Sequence, residues 1–311
     1  MIRNNTDEFT QRLYEKLSPE RVREQEPLSK HTTFKIGGPA DYLVLPATME
    51  EVAHVLETAR TYDIPVTILG NGSNVLVLDG GIRGVVLKIN SEMSHIYHQG
   101  NRVIAQAGAL LADVSKYAAE HGFSGMEFAI GIPGSIGGAV FMNAGAYSGE
   151  MAQVVDGVSA VCLDGRMKVL KADQLKFSYR HSIFQEEHCV ICEVELALEK
   201  GKLPEIQEKM DDYTSRRESK QPLEMPSAGS TFKRPPGYFA GTLIEQAGLK
   251  GFKLGGAQVS AKHAGFVVNA GGATAQDVLD LIKEVQRRVH EHAGVMLQPE
   301  VRILGEVKKT V

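Results

Sequence analysis

Segment 131–145 contains five glycines in fifteen residues, a density that neither a stable helix nor an ordinary strand tolerates. A second glycine cluster, Gly70-Asn-Gly-Ser-Asn74, lies between two apolar runs. The 32 glycines of this 311-residue chain exceed the usual share of about 7%. The two clusters therefore predict places where the backbone turns sharply or approaches another group closely.

Each glycine cluster has a structural and a functional interpretation. Segment 131–145 predicts either tight packing at a domain seam or close approach to a large flat or phosphorylated ligand, and the presence of two clusters favours the ligand. Residues 70–74 predict either a phosphate-binding nest of backbone N–H groups, helped by Ser73 and Asn74, or a plain hairpin turn. They do not form a Rossmann fingerprint, because Val75 replaces its last glycine and a strand follows.

Hydrophobic periodicity predicts a β-α-β unit near the N-terminus. A strand over 42–45 precedes a helix that Thr48 and Glu51 would begin as a capping box, and the next strand runs over 65–69. Near the C-terminus, the pattern predicts a helix that ends at Gly294 and a terminal strand over 300–304. The charged helix 204–220 is typical of a connector, so we expect a domain boundary there.

Composition excludes several classes of protein. A formal charge of -4 without long runs of either sign, and the absence of Trp, argue against a nucleic-acid partner. We expect a soluble cytoplasmic protein, because there is no signal-peptide pattern and no apolar stretch of about 18 residues. Three cysteines are too few for a disulfide framework and favour a reducing compartment. Cys189 and Cys192 would face opposite sides of a strand, so we expect no metal site.

Three residues have surroundings that suit chemistry. Arg180 lies in Ser178-Tyr-Arg-His-Ser-Ile-Phe184, at a core edge where a guanidinium can grip a carboxylate or phosphate. Small residues around Ser230 leave its hydroxyl uncovered, without the Gly-x-Ser-x-Gly elbow of a hydrolase. Glu300 shares one face of the predicted terminal strand with Arg302, and the apolar residues face the other side. Each also fits an ordinary solvated Arg, loop Ser or strand Glu.

Six segments occur in the order of one known family. They are His31-Thr-Thr-Phe-Lys-Ile-Gly-Gly-Pro-Ala-Asp41, Gly70-Asn-Gly-Ser-Asn-Val-Leu-Val77, Gly131-Ile-Pro-Gly-Ser-Ile-Gly-Gly138, Tyr179-Arg-His-Ser-Ile-Phe184, Gly229-Ser-Thr-Phe-Lys233 and Pro299-Glu-Val-Arg302. The chain resembles the UDP-N-acetylenolpyruvoylglucosamine reductases, bacterial flavoenzymes that complete UDP-N-acetylmuramic acid for peptidoglycan, and hence for cell-wall biogenesis, cell shape and division. The segments run nearly from end to end, so the resemblance covers most of the chain.

The resemblance implies an α+β fold. A two-domain FAD-binding part of the PCMH type would span residues 1–100 and 101–220, and a smaller α+β substrate-binding domain would span 221–311 and carry Glu300 on its last strand. It also implies non-covalent FAD, with NADPH and the sugar nucleotide using one pocket in turn. Arg180 and Glu300 would stabilise an enolate that Ser230 protonates. The residues implied to bind FAD belong to the two glycine clusters: Gly70, Asn71, Gly72, Ser73, Asn74, Gly131, Gly134, Ser135, Gly137 and Gly138.

The resemblance also concerns the substrate. The residues implied to contact phosphate or uridine are Tyr179, Arg216, Lys220 and Lys233. Only fifty positions separate Arg180 from Ser230, so the chain resembles the shorter branch, which lacks a tyrosine-bearing loop over the substrate. Arg234 stands where longer members tend to carry Asn. Two alternatives stay open, an alcohol or sugar oxidase on the same scaffold and a non-catalytic UDP-sugar-binding or nucleotide-binding protein. We expect no obligate protein partner.

Overall fold

The structure is a computed structural model that describes residues 2–308, with side chains from residue 8 onward. Its helices are α1 (Ile2–Tyr14), α2 (Met49–Thr61), α3 (Leu111–Glu120), α4 (Ile136–Phe141), α5 (Leu203–Lys220), α6 (Ala240–Gln246) and α7 (Ala275–Ala293). Its strands are β1 (Val22–Pro27), β2 (Pro39–Val44), β3 (Val66–Leu69), β4 (Val75–Val77), β5 (Ile82–Lys88), β6 (Ile96–Gln99), β7 (Arg102–Gln106), β8 (Phe123–Ser124), β9 (Gly145–Ala146), β10 (Gly149–Glu150), β11 (Val155–Cys162), β12 (Met167–Lys171), β13 (Cys189–Ala197), β14 (Glu199–Lys200), β15 (Ser227–Ser230), β16 (Lys253–Leu254), β17 (Ala257–Val259), β18 (Phe266–Asn269) and β19 (Arg302–Leu304). The predicted α+β class is confirmed. Within the described residues, no helix combines the length and apolar character needed to cross a bilayer.

The chain divides into two compact units. The first unit contains Met1–Glu24, Tyr42–Asn71 and Gly84–Arg216, and the second contains Gln25–Asp41, Gly72–Arg83 and Arg217–Val311. The chain therefore passes from one unit to the other inside the first glycine cluster, between Asn71 and Gly72. The three-part division at residues 100/101 and 220/221 stays a prediction.

The first unit has its own sheets and core. One antiparallel sheet has the strand order β12-β11-β13-β7-β6, and β3 pairs in parallel with β5 in a sheet of order β1-β2-β5-β3. Helix α2 connects β2 to β3, so the predicted β-α-β unit is confirmed, with β5 lying between its two strands. The predicted apolar face of α2 is buried in the same hydrophobic core as α3, β11 and β13.

The start of α2 shows how local sequence fixes an element. The Thr48 hydroxyl accepts a hydrogen bond from the Glu51 N–H at 3.2 Å, so the N-cap half of the predicted capping box is confirmed. The Glu51 carboxylate further accepts from the Ala47 N–H at 2.7 Å and binds the Arg21 guanidinium at 2.5 and 2.8 Å. The helix therefore begins at a fixed residue and is tied to the segment before β1.

Two cysteines of the first unit form a disulfide that the cysteine spacing did not predict. Strands β11 and β13 are antiparallel, and their register places Cys162 opposite Cys189. The two sulfurs are bonded across a separation of 27 residues, while Cys192 is a buried free thiol. Strand register, which the spacing along the chain does not show, brings this one pair together.

The second unit is organised around α7. It contains the antiparallel sheet β15-β18-β17-β16 and the parallel pair β4 and β19. The predicted apolar face of α7, including Val278 and Val285, is buried in a core with α6 and these strands. The helix ends as predicted at Gly294, which has a left-handed φ of 68°.

The terminal strand differs from its prediction. β19 begins only at Arg302, which pairs with Val75, because Val75 is the first residue of its parallel partner β4. Glu300 therefore precedes the strand. Val301 is 5% exposed and Ile303 is 47% exposed, so the predicted alternation of faces over 300–304 is wrong. A two-residue period holds only where strands are paired, and here the pairing is too short to extend to Glu300.

Candidate active site

In the first unit, the start of the first glycine cluster lies against the second cluster. The Asn71 side chain donates a hydrogen bond to the Pro133 carbonyl at 2.8 Å. A Cβ on Gly70 would lie 2.9 Å from the Ser135 hydroxyl oxygen. Strand β3, which leads into Gly70, pairs with β5, whereas β4 pairs with β19, so the plain hairpin interpretation of residues 70–74 is wrong.

The glycines of the second cluster serve different purposes. The Gly137 N–H donates to the Ala107 carbonyl at 2.9 Å, and a Cβ on Gly137 would lie 2.7 Å from the Ala107 Cβ. Close packing therefore requires glycine at 137. Gly138 is exposed, and a Cβ there would meet the Ser135 hydroxyl at 3.5 Å and no other atom within 4 Å. An open backbone face remains at this position.

These residues fit a phosphorylated or flat ligand. Gly70 and Gly138 both flank the Ser135 hydroxyl, and Asn71 adds a fixed amide beside them. Backbone N–H groups, a hydroxyl and an amide are the groups that cradle phosphate oxygens, and the glycines leave room for close approach. Ser135 itself is 2% exposed and its hydroxyl caps α4, so the first unit offers open backbone at Gly70 and Gly138 where the two clusters meet.

Strand β5 places a cation next to the first cluster. Lys88 pairs with Leu69, the residue before Gly70. Burial lowers the pKa of the Lys88 ammonium below its ordinary value, and repulsion from Arg23 lowers it further. The strand that pairs with the residue before Gly70 therefore carries a partly desolvated lysine.

Arg180 lies at the tip of a tight turn in the first unit, which we call the Arg180 turn (residues 178–181). Ser178 and His181 exchange both backbone hydrogen bonds at 3.1 Å, which leaves Tyr179 and Arg180 as the two tip residues. Arg180 has a φ of 56°, in the left-handed region that costs a non-glycine residue roughly 1–3 kcal/mol. Its guanidinium carbon lies 5.2 Å from the ring centroid of Tyr179, which is 56% exposed.

Side-chain amides hold both arms of this turn. Asn143 donates to the Ser178 carbonyl at 3.0 Å. Gln185 donates to the Arg180 carbonyl at 2.9 Å and to the Phe141 carbonyl at 3.0 Å. Because Phe141 is the last residue of α4, the turn is tied to the helix that begins after Ser135.

Asn143 and Gln185 are functional candidates that sequence reasoning missed. Asn143 lies inside the glycine-rich segment, and Gln185 directly follows the motif that ends at Phe184. The acceptor of the Asn143 amide lies 35 residues away, and one of the two acceptors of the Gln185 amide lies 44 residues away. No local pattern reveals hydrogen bonds over such distances. The one available signal was their position next to segments already singled out.

The second unit places Ser230 and Glu300 on neighbouring backbone segments. The Glu300 N–H donates to the Thr231 carbonyl at 2.8 Å, and Phe232 lies opposite Pro299 in an antiparallel bridge. Ser230 directly precedes Thr231, so Glu300 pairs with the residue that follows Ser230. Two of the three predicted catalytic residues are thus brought together, while Arg180 belongs to the other unit.

The local backbone explains why Ser230 is uncovered. Gly229 has a φ of 73°, and the register of β15 against β18 shifts between Ser227 and Ser230. Such a bulge re-aims the side chains that follow it. Ser230 is exposed, whereas Thr231 is 5% exposed and accepts a hydrogen bond from the Val267 N–H at 2.9 Å.

The rest of the first glycine cluster belongs to the second unit. The Asn74 side chain donates to the Glu300 carbonyl at 3.4 Å. Thr33 donates its N–H to the Gly72 carbonyl at 3.1 Å and its hydroxyl to the Ser227 carbonyl at 2.7 Å. Together with the pairing of Thr231 and Glu300, these bonds bring residues of four of the six motif segments into contact within this unit, namely 31–41, 70–77, 229–233 and 299–302.

The predicted substrate contacts divide between the units: Tyr179 and Arg216 in the first, and Lys220 and Lys233 in the second. Arg216 forms an ion pair at 2.8 Å with Asp212, one turn earlier on α5. Lys220 and Lys233 are exposed. The Arg234 guanidinium carbon lies 4.0 Å from the ring centroid of Phe239, so this departure from the family pattern packs on an aromatic ring.

Two family models match this chain. Residues 40–171 match an FAD binding domain, and residues 221–304 match the C-terminal domain of UDP-N-acetylenolpyruvoylglucosamine reductase. A reductase of this name from Clostridium perfringens strain SM101 is 54% identical over 302 residues, which cover 97% of this chain and 99% of the relative. The chain belongs to the UDP-N-acetylenolpyruvoylglucosamine reductase family. The predicted family is confirmed.

One solved structure supports the family and a second shows the fold alone. The crystal structure of the reductase from Thermus caldophilus is 38% identical, with a TM-score of 0.78 over 91% of this chain and 100% of that chain. The glucose dehydrogenase Phl p 4.0202 is 14% identical, with a TM-score of 0.50 over 63% of this chain and 44% of that chain, and shares the fold alone. The glycine surface at Gly70 and Gly138 lies inside the FAD-binding match, so its groups fit the cofactor of that domain.

Proposed function

We propose that this protein reduces the enolpyruvyl ether of UDP-N-acetylglucosamine to UDP-N-acetylmuramic acid, with FAD as bound cofactor and NADPH as hydride donor. The observation that carries the proposal is the backbone pairing between Thr231 and Glu300 in the C-terminal domain of this reductase family, which joins the segment that contains Ser230 to the segment that contains Glu300. The reaction would take place in the cytoplasm. It would supply peptidoglycan synthesis and so serve the cell wall, cell shape and division.

The two glycine clusters would hold FAD. In the first unit, Gly70, Asn71, Ser135 and Gly138 already form a surface of small polar groups. The other proposed contacts are Gly72, Ser73, Asn74, Gly131, Gly134 and Gly137. When bound, FAD would supply the hydride-transfer chemistry between NADPH and the terminal vinyl carbon of the substrate.

Arg180 and Glu300 would stabilise the charge that appears on the substrate. Adding a hydride to the vinyl carbon leaves an enolate conjugated with the substrate carboxylate. A guanidinium binds a carboxylate through two parallel N–H bonds, and its fixed positive charge favours this enolate. One such group typically lowers the barrier by about 3–4 kcal/mol. Glu300 would act on the same charge, as a protonated or bridging carboxyl group.

Ser230 would donate the proton that completes the product. A serine hydroxyl is a weak acid, but an enolate carbon is a strong base, so the transfer can run downhill. The donor must be within reach of the carbon and uncovered by other side chains. Ser230 is exposed at the end of β15, where the bulge at Gly229 aims it outward.

Basic side chains would bind the diphosphate of the sugar nucleotide. Lys220 and Lys233 are exposed cations of the second unit, and Arg216 adds a guanidinium on α5. Tyr179, which is 56% exposed next to Arg180, would contact the substrate near the reacting group. The chain has no separate dinucleotide fingerprint, so we propose that NADPH and the sugar nucleotide use one pocket in turn.

An anaerobic titration in two half-reactions tests this function. Purified protein should be yellow, and NADPH should bleach its flavin absorbance. UDP-N-acetylenolpyruvoylglucosamine should then restore the oxidised spectrum, whereas UDP-N-acetylglucosamine, which lacks the enolpyruvyl group, should not. Reduced protein that the enolpyruvyl substrate does not reoxidise would contradict the proposed activity.

The same preparation separates the alternatives. An oxidase of this fold often carries FAD attached covalently through His, so acid precipitation would leave its pellet yellow. The reductase should release its flavin into the supernatant. A colourless protein that binds the sugar nucleotide would indicate a binding function without redox chemistry.

A further inference from the structure

We propose that Gln185 is a positioning residue that holds Arg180 in the backbone conformation needed for its role. The inference rests on the proposed function, in which the Arg180 guanidinium stabilises the enolate. It extends that function to a residue that no motif segment contains.

Gln185 joins the Arg180 turn to α4. Its amide nitrogen has two N–H groups, and they donate to the Arg180 carbonyl at 2.9 Å and to the Phe141 carbonyl at 3.0 Å. The Ser182 hydroxyl donates to the same Phe141 carbonyl at 2.9 Å, which fixes the anchor at the end of the helix. The side chain therefore ties the arginine to an element of defined position.

Arg180 needs an external tie more than the other residues of the turn. Its φ of 56° lies in the left-handed region, which Arg does not favour. The opposite arm is held by Asn143, which is 1% exposed, donates to the Ser178 carbonyl and accepts from the Ala152 N–H at 2.9 Å. Asn143 is itself left-handed, with a φ of 42°, but Asn tolerates that region well.

Loss of the Gln185 amide would release the arginine arm alone. The Arg180 carbonyl would lose its bond from Gln185, and within the turn that Ser178 and His181 still close, the Arg180 backbone could rotate away from its left-handed conformation. The guanidinium direction changes with that rotation, while the glycine surface around Ser135 keeps its own hydrogen bonds. The substrate half-reaction should therefore suffer and the NADPH half-reaction should not.

Gln185→Met tests this, because methionine has a similar length but no amide donor. We expect unchanged flavin content and an unchanged rate of flavin reduction by NADPH. Reoxidation by the enolpyruvyl substrate should slow about tenfold, equivalent to about 1.4 kcal/mol. Gln174→Met is the matched control, since Gln174 also bonds to backbone in the first unit, accepting from the Lys171 N–H at 2.8 Å. It should behave as wild type in both half-reactions.

A double-mutant cycle with Arg180→Ala separates positioning from general damage. If Gln185 acts through Arg180, Gln185→Met should slow reoxidation no further in the Arg180→Ala background. The same tenfold loss in both backgrounds would overturn the inference, as would normal reoxidation in Gln185→Met alone. Normal reoxidation in Arg180→Ala would instead remove the proposed role of Arg180. If Gln185→Met does not fold, Gln185→Glu keeps the shape without an N–H donor and should slow the same step.

Discussion

The Arg180 turn of the first unit and the Ser230 segment of the second are held in different ways. Arg180 occupies a left-handed conformation that side-chain amides from Asn143 and Gln185 support. Ser230 and Glu300 are aligned by backbone hydrogen bonds, in which the Glu300 N–H meets the Thr231 carbonyl at 2.8 Å. Every amino acid except proline carries the groups that make the second arrangement.

This difference teaches where each region is sensitive to substitution. A geometry held by side-chain amides can be lost through a residue that never touches substrate. A geometry held by backbone pairing tolerates changes of neighbouring side chains, provided that the fold survives. Mutations outside the reacting groups should therefore affect the Arg180 turn more than the Ser230 segment.

The largest effect should come from Ser230→Ala. It removes the proposed proton donor and leaves the backbone pairing of the segment intact. We expect NADPH to reduce the flavin at the normal rate, and reoxidation by the enolpyruvyl substrate to fall about 10³-fold, within the usual range for a general acid. Anaerobic stopped-flow absorbance measures both steps. Equal losses in the two half-reactions would argue against a proton donor and for general damage.

Arg180→Lys should have the next largest effect. Lysine keeps the positive charge but lacks the planar fork that binds a carboxylate through two bonds. We expect reoxidation to slow about 10²-fold, with a smaller change in KM than in kcat, because the lost contact is strongest in the transition state. Wild-type turnover in this variant would show that charge alone suffices.

The sequence predicted elements that depend on local signals. Periodicity together with the Thr48 cap and the Gly294 stop located α2 and α7. These signals act within a few residues, so one chain segment contains all the necessary information. The motif segments likewise identified the family, because their order is a property of the sequence itself.

Features that depend on strand register could not be predicted in the same way. The Cys162–Cys189 bond requires the alignment of β11 with β13, and the start of β19 at Arg302 is set by the first residue of its parallel partner β4. Gln185 is similar, because its acceptor at Phe141 lies 44 residues earlier. Long-range pairing of this kind leaves no mark in the spacing of residues along the chain.

Thr231→Val sharpens the comparison between the two regions. Valine keeps the backbone carbonyl that accepts from Glu300 but removes the hydroxyl that accepts from the Val267 N–H at 2.9 Å. Leaving that buried N–H unpaired should lower the free energy of unfolding by about 1–3 kcal/mol. Reoxidation should slow far less than the factor of about ten expected for Gln185→Met. Urea unfolding measures the change in stability, and the two half-reactions measure the change in rate. A large loss of reoxidation in Thr231→Val would show that the Ser230 segment also depends on side-chain hydrogen bonds.

Glu284→Gln should have the smallest effect, because it changes an ion pair on the surface of α7. Glu284 accepts from Arg287 at 2.8 and 2.9 Å and from Arg288 at 2.5 Å. Hydrogen bonds from Arg287 and then Arg288 lower the pKa of the Glu284 carboxyl from 4.5 to about 2. Its partner Arg287 has a side chain that is 53% exposed, so solvent screens this ion pair. The contribution of Glu284 to the free energy of unfolding should therefore stay below about 1 kcal/mol.

The sign of the pH dependence follows from the lowered pKa. A carboxyl group that is more acidic in the folded protein stabilises it fully above its unfolded pKa, and that stability is lost as the pH falls toward the folded value. Wild type should therefore exceed Glu284→Gln in free energy of unfolding at about pH 7, and the difference should shrink toward about pH 2. Glu291→Gln is the control, since Glu291 contacts Arg287 but is 59% exposed and should matter less. A Glu284→Gln difference that stayed constant with pH would show that the amide changes helix packing and not charge. Unchanged rates in both half-reactions would show that the Ser230 segment does not depend on this charge of α7.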